Sequence, residues 1–464
     1  MIFNSVEFAV FLPIVLILYA RLAGRARTYL LLFASAVFYG AFIVNYLLIL
    51  AGVIAVDYVA GLWIARLSGA GRRLALLASI VANCSILFLF KYFDFALSSA
   101  ASALQWFHVP FEHSPLGLVL PIGLSFHVFQ SLSYTIEVYL GRQEPERDLA
   151  TYALYVLYFP QLVAGPIERP QNLLPQFHRL GPLTVENLSP ALRLIASGLV
   201  KKCVVADNLT ILVDRVYADP RAFGALALWA ATFLFSIQIY CDFSGYSSIA
   251  RGCSRLFGVT LMENFKTPYH AKSIGEFWQR WHISLSSWFR DYVYLPLGGS
   301  RGAVWRTHRN VFIVFLLSGV WHGANWVFVL WGLWHGIGLM IENGLARRTH
   351  RGTFRLGAPF TFLFVLLGWV LFRARSVGDA SYIFGHLWMD WTRGLASLPP
   401  RALEESLVLA VALLLIEYFS AKVDLWNCVS RAAMPIRVMA YAALVFVFFV
   451  VGQFSGTQFI YFQF

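Results

Sequence analysis

The residues best placed to do chemistry in this chain are histidines set in apolar sequence. Val311 to Ile341 contains no Asp, Glu, Lys or Arg, yet Ser318-Gly319-Val320-Trp321-His322-Gly323-Ala324-Asn325-Trp326 places an imidazole among glycines and tryptophans. An ionisable group at membrane depth is costly without a partner or a cavity, so His322 is a functional candidate by default. The chemistry open to it is proton transfer. A histidine bonded to a helix carbonyl, serving only packing, is the competing reading.

A second constellation runs from Phe277 to Arg301 and contains Trp278, Arg280, Trp281, His282, Trp288, Phe289 and Arg290. If Glu276 to Tyr292 is one helix, Trp278, His282, Leu285 and Phe289 share a face. The alternative is an interfacial amphipathic helix, its tryptophans at headgroup level and Arg280 and Arg290 reaching outward. Pro296 and Gly298-Gly299 end the element. His335 follows His322 by thirteen residues, which on a continuous helix puts it on roughly the opposite side, so it reads as structural. Asp242, near Ser244 and Tyr246, reads as a buried carboxylate bracing the core. No third ligand accompanies the two histidines at a recognisable spacing, so no metal site is expected. The five cysteines, Cys84, Cys203, Cys241, Cys253 and Cys428, form no CxxC and read mostly as small apolar packers.

The elements that must position these groups are membrane helices. Of the 464 residues 59% are hydrophobic, 17% aromatic and only 13% charged, which excludes a fold around a single aqueous core. The residues before the first apolar run carry Glu7 and no Lys or Arg, so no cleavable signal is expected and the first helix stays. Runs of spanning length fall near Val6 to Ala20, Thr28 to Asn45, Tyr46 to Ala65, Leu74 to Leu97, Leu116 to Leu140, Ala191 to Val213 and Ala225 to Tyr240. Further candidates are Pro359 to Phe372, Leu403 to Phe419 and Arg437 to Val451, with Val311 to Ile341 either a pair of segments or one steeply tilted helix. The expectation is an all-α polytopic membrane protein with about ten to twelve spans. Tyr152 to Ile167 and Ser273 to Leu297, broken by Pro and charge, suit re-entrant or interfacial segments.

Arg21, Arg25 and Arg27, then Arg66, Arg72 and Arg73, then Arg347, Arg348, Arg351 and Arg355 form basic loops of cytoplasmic type, placing both termini outside. The net charge of +12 follows from this topology and from anionic lipid, and its dispersal among loops argues against a nucleic-acid partner. No linker or repeat divides the chain, so residues 1–464 are read as one membrane domain with a C-terminal tail, 452–464. Neither HExxH, P-loop, GxGxxG nor GxSxG occurs. Chemistry must then use residues embedded in the membrane body.

Taken together these residues resemble the membrane-bound O-acyltransferase family, specifically its bacterial alginate O-acetyltransferase-like branch. The resemblance begins at Met1-Ile2-Phe3-Asn4-Ser5 and runs through the Tyr158 to Arg169 block and Asp242-Phe243-Ser244-Gly245-Tyr246-Ser247. It takes in both histidine segments and ends at Phe459-Ile460-Tyr461-Phe462-Gln463-Phe464. It implies a bowl of tilted helices pierced by a funnel or tunnel that brings an acyl donor to an acceptor hydroxyl. By resemblance His322 is the essential catalytic histidine and His282 its more variable partner. A neutral imidazole, its charged form disfavoured by lost hydration, takes the hydroxyl proton as the oxygen attacks the acyl carbonyl. His282 then orients the donor or stabilises developing charge. Asp242, Trp281, Trp321 and Asn325 are candidate supports.

The resemblance also implies that Tyr461 accepts the acyl group as an ester and passes it to an outer-face partner, splitting one long transfer into two. The alternative is an aromatic anchor at the interface. The expected function is inner-membrane O-acetyl transfer from a cytoplasmic donor, acetyl-CoA first, with no bound cofactor. The expected acceptor is an extracytoplasmic polysaccharide, alginate or a related exopolysaccharide. A separate periplasmic transferase is the expected partner beside membrane lipid. Peptidoglycan acetylation and teichoic acid D-alanylation are runners-up in the same chemistry. A transporter of an acyl donor or lipid-linked sugar is the reading of another class, and a structural scaffold for an envelope synthase a further one.

Overall fold

The computed structural model describes residues 1–109, 111, 114–163, 165–348, 355–391, 395, 398–420, 422–454 and 459–460. Its elements among the described residues are helices with no strands. Contacts divide the chain into two compact units: Met1–Ile195 with Ala250–Met262, and Ala196–Ile249 with Glu263–Phe464.

Among the described residues, four helices are long and apolar enough to cross a membrane by length and composition: Tyr46–Arg66 (α1), Gly69–Trp106 (α2), Ala225–Leu256 (α4) and Met434–Val451 (α10). Pro400–Ser420 with Leu425–Arg431 adds a fifth if the bent pair is one span. This is fewer than the ten to twelve apolar runs suggest. Several of those runs are helices of 16 residues, among them Val6–Arg21, Arg25–Gly40 and Leu124–Tyr139 (α3). At about 1.5 Å rise per residue such a helix is shorter than the ~30 Å hydrocarbon core.

In the first unit α1, α2 and α3 pack through small and polar residues. Asp57 of α1 is fully buried and accepts hydrogen bonds from Ser79 Oγ at 2.6 Å and Asn83 Nδ2 at 2.9 Å, both on α2. Gly61 of α1 lies against Tyr134 of α3, where an added Cβ would sit 2.6 Å from the ring. The Tyr158 to Arg169 block anchors this unit. Tyr158 Oη accepts from Ser254 Oγ at 3.0 Å, and the Phe159 N–H donates to Ser35 Oγ at 3.0 Å. Glu168 accepts from the Met262 N–H at 2.6 Å and from Asn172 Nδ2 at 2.7 Å. Burial pushes the Glu168 carboxyl up to about 7.

In the second unit the apolar run around His322 is a hairpin of two helices, Val304–His322 (α7) and Trp326–Arg348 (α8). Of the two expectations, a pair of segments or one tilted helix, the structure shows the pair. The sequence Gly323-Ala324-Asn325 makes the break. Gly323 is extended and ends α7, while the Asn325 side-chain oxygen accepts from the Val327 N–H at 3.2 Å, capping α8. Glycines let the two helices touch: an alanine methyl at Gly319 or at Gly332 would lie 3.2 Å from the other glycine's Cα and closer still to a backbone carbonyl.

Candidate functional site

His322 is the last residue of α7 and is buried. Its imidazole meets Trp321 with ring centroids 5.0 Å apart, Trp331 of α8 at 4.8 Å and Phe372 at 5.3 Å, the last on the helix Ala358–Arg373 (α9). The close crossing at Gly319 and Gly332 fixes this arrangement, because His322 lies one turn past the first glycine and Trp331 immediately before the second.

His282 does not share a helical stripe with Trp278, Leu285 and Phe289. The helix Ile274–Arg280 (α5) stops before it, Trp281 is extended, and the helix Ile283–Phe289 (α6) starts after it. His282 itself is left-handed, with φ 44° and ψ 55°. For a non-glycine residue that conformation costs ~1–3 kcal/mol and persists only where surrounding structure imposes it. Asn264 supplies the constraint: its carbonyl accepts from the Ile283 N–H at 3.0 Å and its side-chain oxygen from the Ser284 N–H at 3.1 Å. The Lys266 N–H donates to the Arg280 carbonyl at 3.0 Å. These partners lie outside the segment, so local periodicity gives no sign of them.

The turn presents a fully buried imidazole to Phe243 of α4, ring centroids 4.6 Å apart, and to Trp321, 6.2 Å apart. Both histidines thus meet Trp321. His282 lies outside the spans, and burial pushes its imidazole down to about 3, holding it neutral. A neutral imidazole keeps one N–H donor and one acceptor nitrogen, the inventory needed to take a proton or to donate to a carbonyl.

Trp281, 1% exposed, joins the other side of the cluster: it packs on Trp369 of α9 at 4.9 Å, and Trp369 lies 6.3 Å from Trp331. Asn325 caps α8 and donates to the Arg375 carbonyl at 3.1 Å. Asp242 of α4 pairs with Lys202 at 2.7 Å and accepts the Ile460 N–H at 2.7 Å. Tyr461 lies outside the described residues. His335 sits on α8, and the break at Gly323 removes the basis for placing it opposite His322. Trp331 touches both, at 4.8 Å from His322 and 5.0 Å from His335.

Sequence reasoning missed Trp331, Phe243, Lys202 and Glu342. Glu342 of α8 accepts the N–H groups of Ile274 at 2.6 Å and Gly275 at 3.0 Å, fixing the start of the helix that leads to His282. Its sequence signal was a carboxylate directly following a long uncharged run. Trp331 carried no comparable signal among fifteen tryptophans.

A family model described as MBOAT, membrane-bound O-acyltransferase family, matches residues 142–377. The chain is 39% identical over 403 residues to the "Probable alginate O-acetylase AlgI" of Pseudomonas putida, covering 84% of this chain and 81% of that one. It is 40% identical over 405 residues to the protein of the same name from Azotobacter vinelandii, covering 84% and 79%. A peptidoglycan O-acetyltransferase of Helicobacter pylori is 34% identical over 417 residues, covering 82% and 78%.

Proposed function

This chain belongs to the membrane-bound O-acyltransferase family and is a multi-pass membrane acyltransferase, and from that premise we propose that it moves acetyl from a cytoplasmic donor to hydroxyls of an extracytoplasmic polysaccharide. The donor is a thioester of the acetyl-CoA class, the membrane is the inner one, and alginate or a related exopolysaccharide is the first acceptor. Peptidoglycan hydroxyls and D-alanylation of teichoic acid are the alternatives in the same chemistry. A separate periplasmic transferase completes delivery to the polymer.

The observation that carries this reading is the pair of buried histidines, His282 and His322, both in ring contact with Trp321. The neutral imidazole of His322 takes the proton of the attacking hydroxyl as its oxygen bonds to the acetyl carbonyl carbon. The carbon–sulfur bond breaks, and the proton passes to the departing thiolate. His282, neutral and oriented by its constrained backbone, donates its N–H to the carbonyl oxygen, where negative charge develops. The surrounding tryptophans and phenylalanines exclude water, which would otherwise compete as the acceptor.

Tyr461 provides the first acceptor in this scheme. Its phenol oxygen takes the acetyl group, and a polymer hydroxyl or the periplasmic transferase then attacks the tyrosyl ester and frees the phenol. The test compares ester-linked acetate on purified envelope polysaccharides from cells carrying wild-type protein or His322→Ala at equal membrane levels. Loss from one polymer identifies the acceptor and supports His322 as catalytic. Equal acetate on every polymer refutes acyl transfer through His322 and favours donor transport.

A further inference from the structure

The segment after α10 is fastened to the second unit at two points. Near its start, the Gln453 N–H donates to the Cys203 carbonyl at 3.0 Å and Gln453 Nε2 donates to Asn208 Oδ1 at 3.2 Å, while Asn208 Nδ2 donates to the Val451 carbonyl at 2.9 Å. Further on, Phe459 and Ile460 are 2% and 3% exposed.

Their seat is built around a buried charge cluster. Lys202, on the π-helical segment Val200–Ala206, pairs with Asp207 at 2.8 Å and with Asp242 at 2.7 Å. All three are almost fully buried. Two carboxylates converge on one ammonium away from water, and each buried carboxylate oxygen calls for hydrogen-bond donors. The backbone N–H of Ile460 is one, 2.7 Å from Asp242 Oδ2. The same seat places the Phe459 ring 5.6 Å from Phe243 and 5.0 Å from Tyr246, and Phe243 is the ring that packs on His282 at 4.6 Å.

We infer that Asp242 is a positioning residue: held by Lys202, it grips the Ile460 N–H and seats Phe459 and Ile460 against Phe243, the ring that packs on His282, so that these two residues support the acyl-transfer site. The inference rests on the acyl-transfer reading above but not on Tyr461 carrying an ester. A carboxylate–N–H bond between buried groups is stronger than a neutral one.

Removing Asp242 would also take from Lys202 one of its two carboxylates, so the decisive substitution is at Ile460. Ile460→Pro deletes the donor and leaves the ion cluster intact, whereas Ile460→Ala keeps the N–H. Polymer acetate should fall about tenfold or more in Ile460→Pro relative to Ile460→Ala, the loss expected from one hydrogen bond to a charged group. Both purified proteins should remain folded, with Ile460→Pro melting somewhat lower for the lost hydrogen bond, so acetate is compared per folded molecule. In wild-type protein, hydrogen exchange read by mass spectrometry should show a slow amide at Ile460. Equal acetate in the two Ile460 variants, or fast exchange at that amide, overturns the inference. Tyr461→Phe separates the two ideas. If it is active while Ile460→Pro is not, the seat stands and the ester relay falls; if it is inactive while Ile460→Pro is active, the relay stands and the seat falls.

Discussion

Replacing Gly319 and Gly332 together by alanine should disable the site without touching a histidine. Each new methyl carbon would lie 3.2 Å from the opposing glycine's Cα and closer still to a carbonyl oxygen, that of Phe328 for position 319 and that of Phe315 for position 332. A relaxed carbon pair sits at about 3.5–4.0 Å, so α7 and α8 must part by about 0.5–1 Å. The obstacles are backbone atoms, so no side-chain rotation relieves them. His322 ends α7 and Trp331 adjoins Gly332 on α8, so the separation moves the imidazole from its ring partner by the same distance. A misplacement of about 1 Å at reacting groups costs ~100-fold in rate, or ~2.7 kcal/mol of barrier. Overpacking should also lower stability by about 1–3 kcal/mol. The assay is ester-linked acetate on envelope polysaccharide per unit of membrane protein, with melting temperature in detergent measured alongside. Gly344→Ala, on the same helix with nothing within 4 Å of the added Cβ, is the control and should behave as wild type. Wild-type acetate from the double variant would show that the crossing does not set the His322 geometry.

The buried, neutral state of His282 has a pH signature. The unfolded imidazole takes up a proton below 6.5 and the folded one only near 3, so folded stability falls as pH drops through that window, by up to ~1.4 kcal/mol per unit. His282→Asn should lose stability less steeply than wild type over the same range; parallel curves would mean the imidazole is not held neutral. Ser79→Ala removes a 2.6 Å hydrogen bond to the buried Asp57 carboxylate and should cost ~1–3 kcal/mol of stability, read as a lower melting temperature. Acetate per folded molecule should stay unchanged, and a specific loss of activity would tie this network to the chemistry.

The residue order by itself determined the solvent and the class of this protein. Uninterrupted apolar runs can only be helices where no water satisfies the backbone, and Gly323 and Asn325 already carry the stop and start signals that break one such run into α7 and α8. His322 was legible for the same reason: an imidazole in thirty-one residues without a charged side chain is costly to bury, which marked it as a candidate beside the packing alternative. Long aromatic blocks in a family order supplied the acyltransfer reading. His282 was legible as a residue but not as a geometry. Helical periodicity assumes that each N–H finds its partner one turn back, and here Asn264 competes for the N–H groups of Ile283 and Ser284. The link between Asp242 and Ile460 spans 218 positions, and Trp331 joins His322 only because two glycines let their helices touch. Such partners are set by chain folding over long separations, where burial and close packing choose among many equally apolar residues. Only the tertiary structure could decide that Trp331 packs on His322 and that Asp242 bonds the Ile460 N–H.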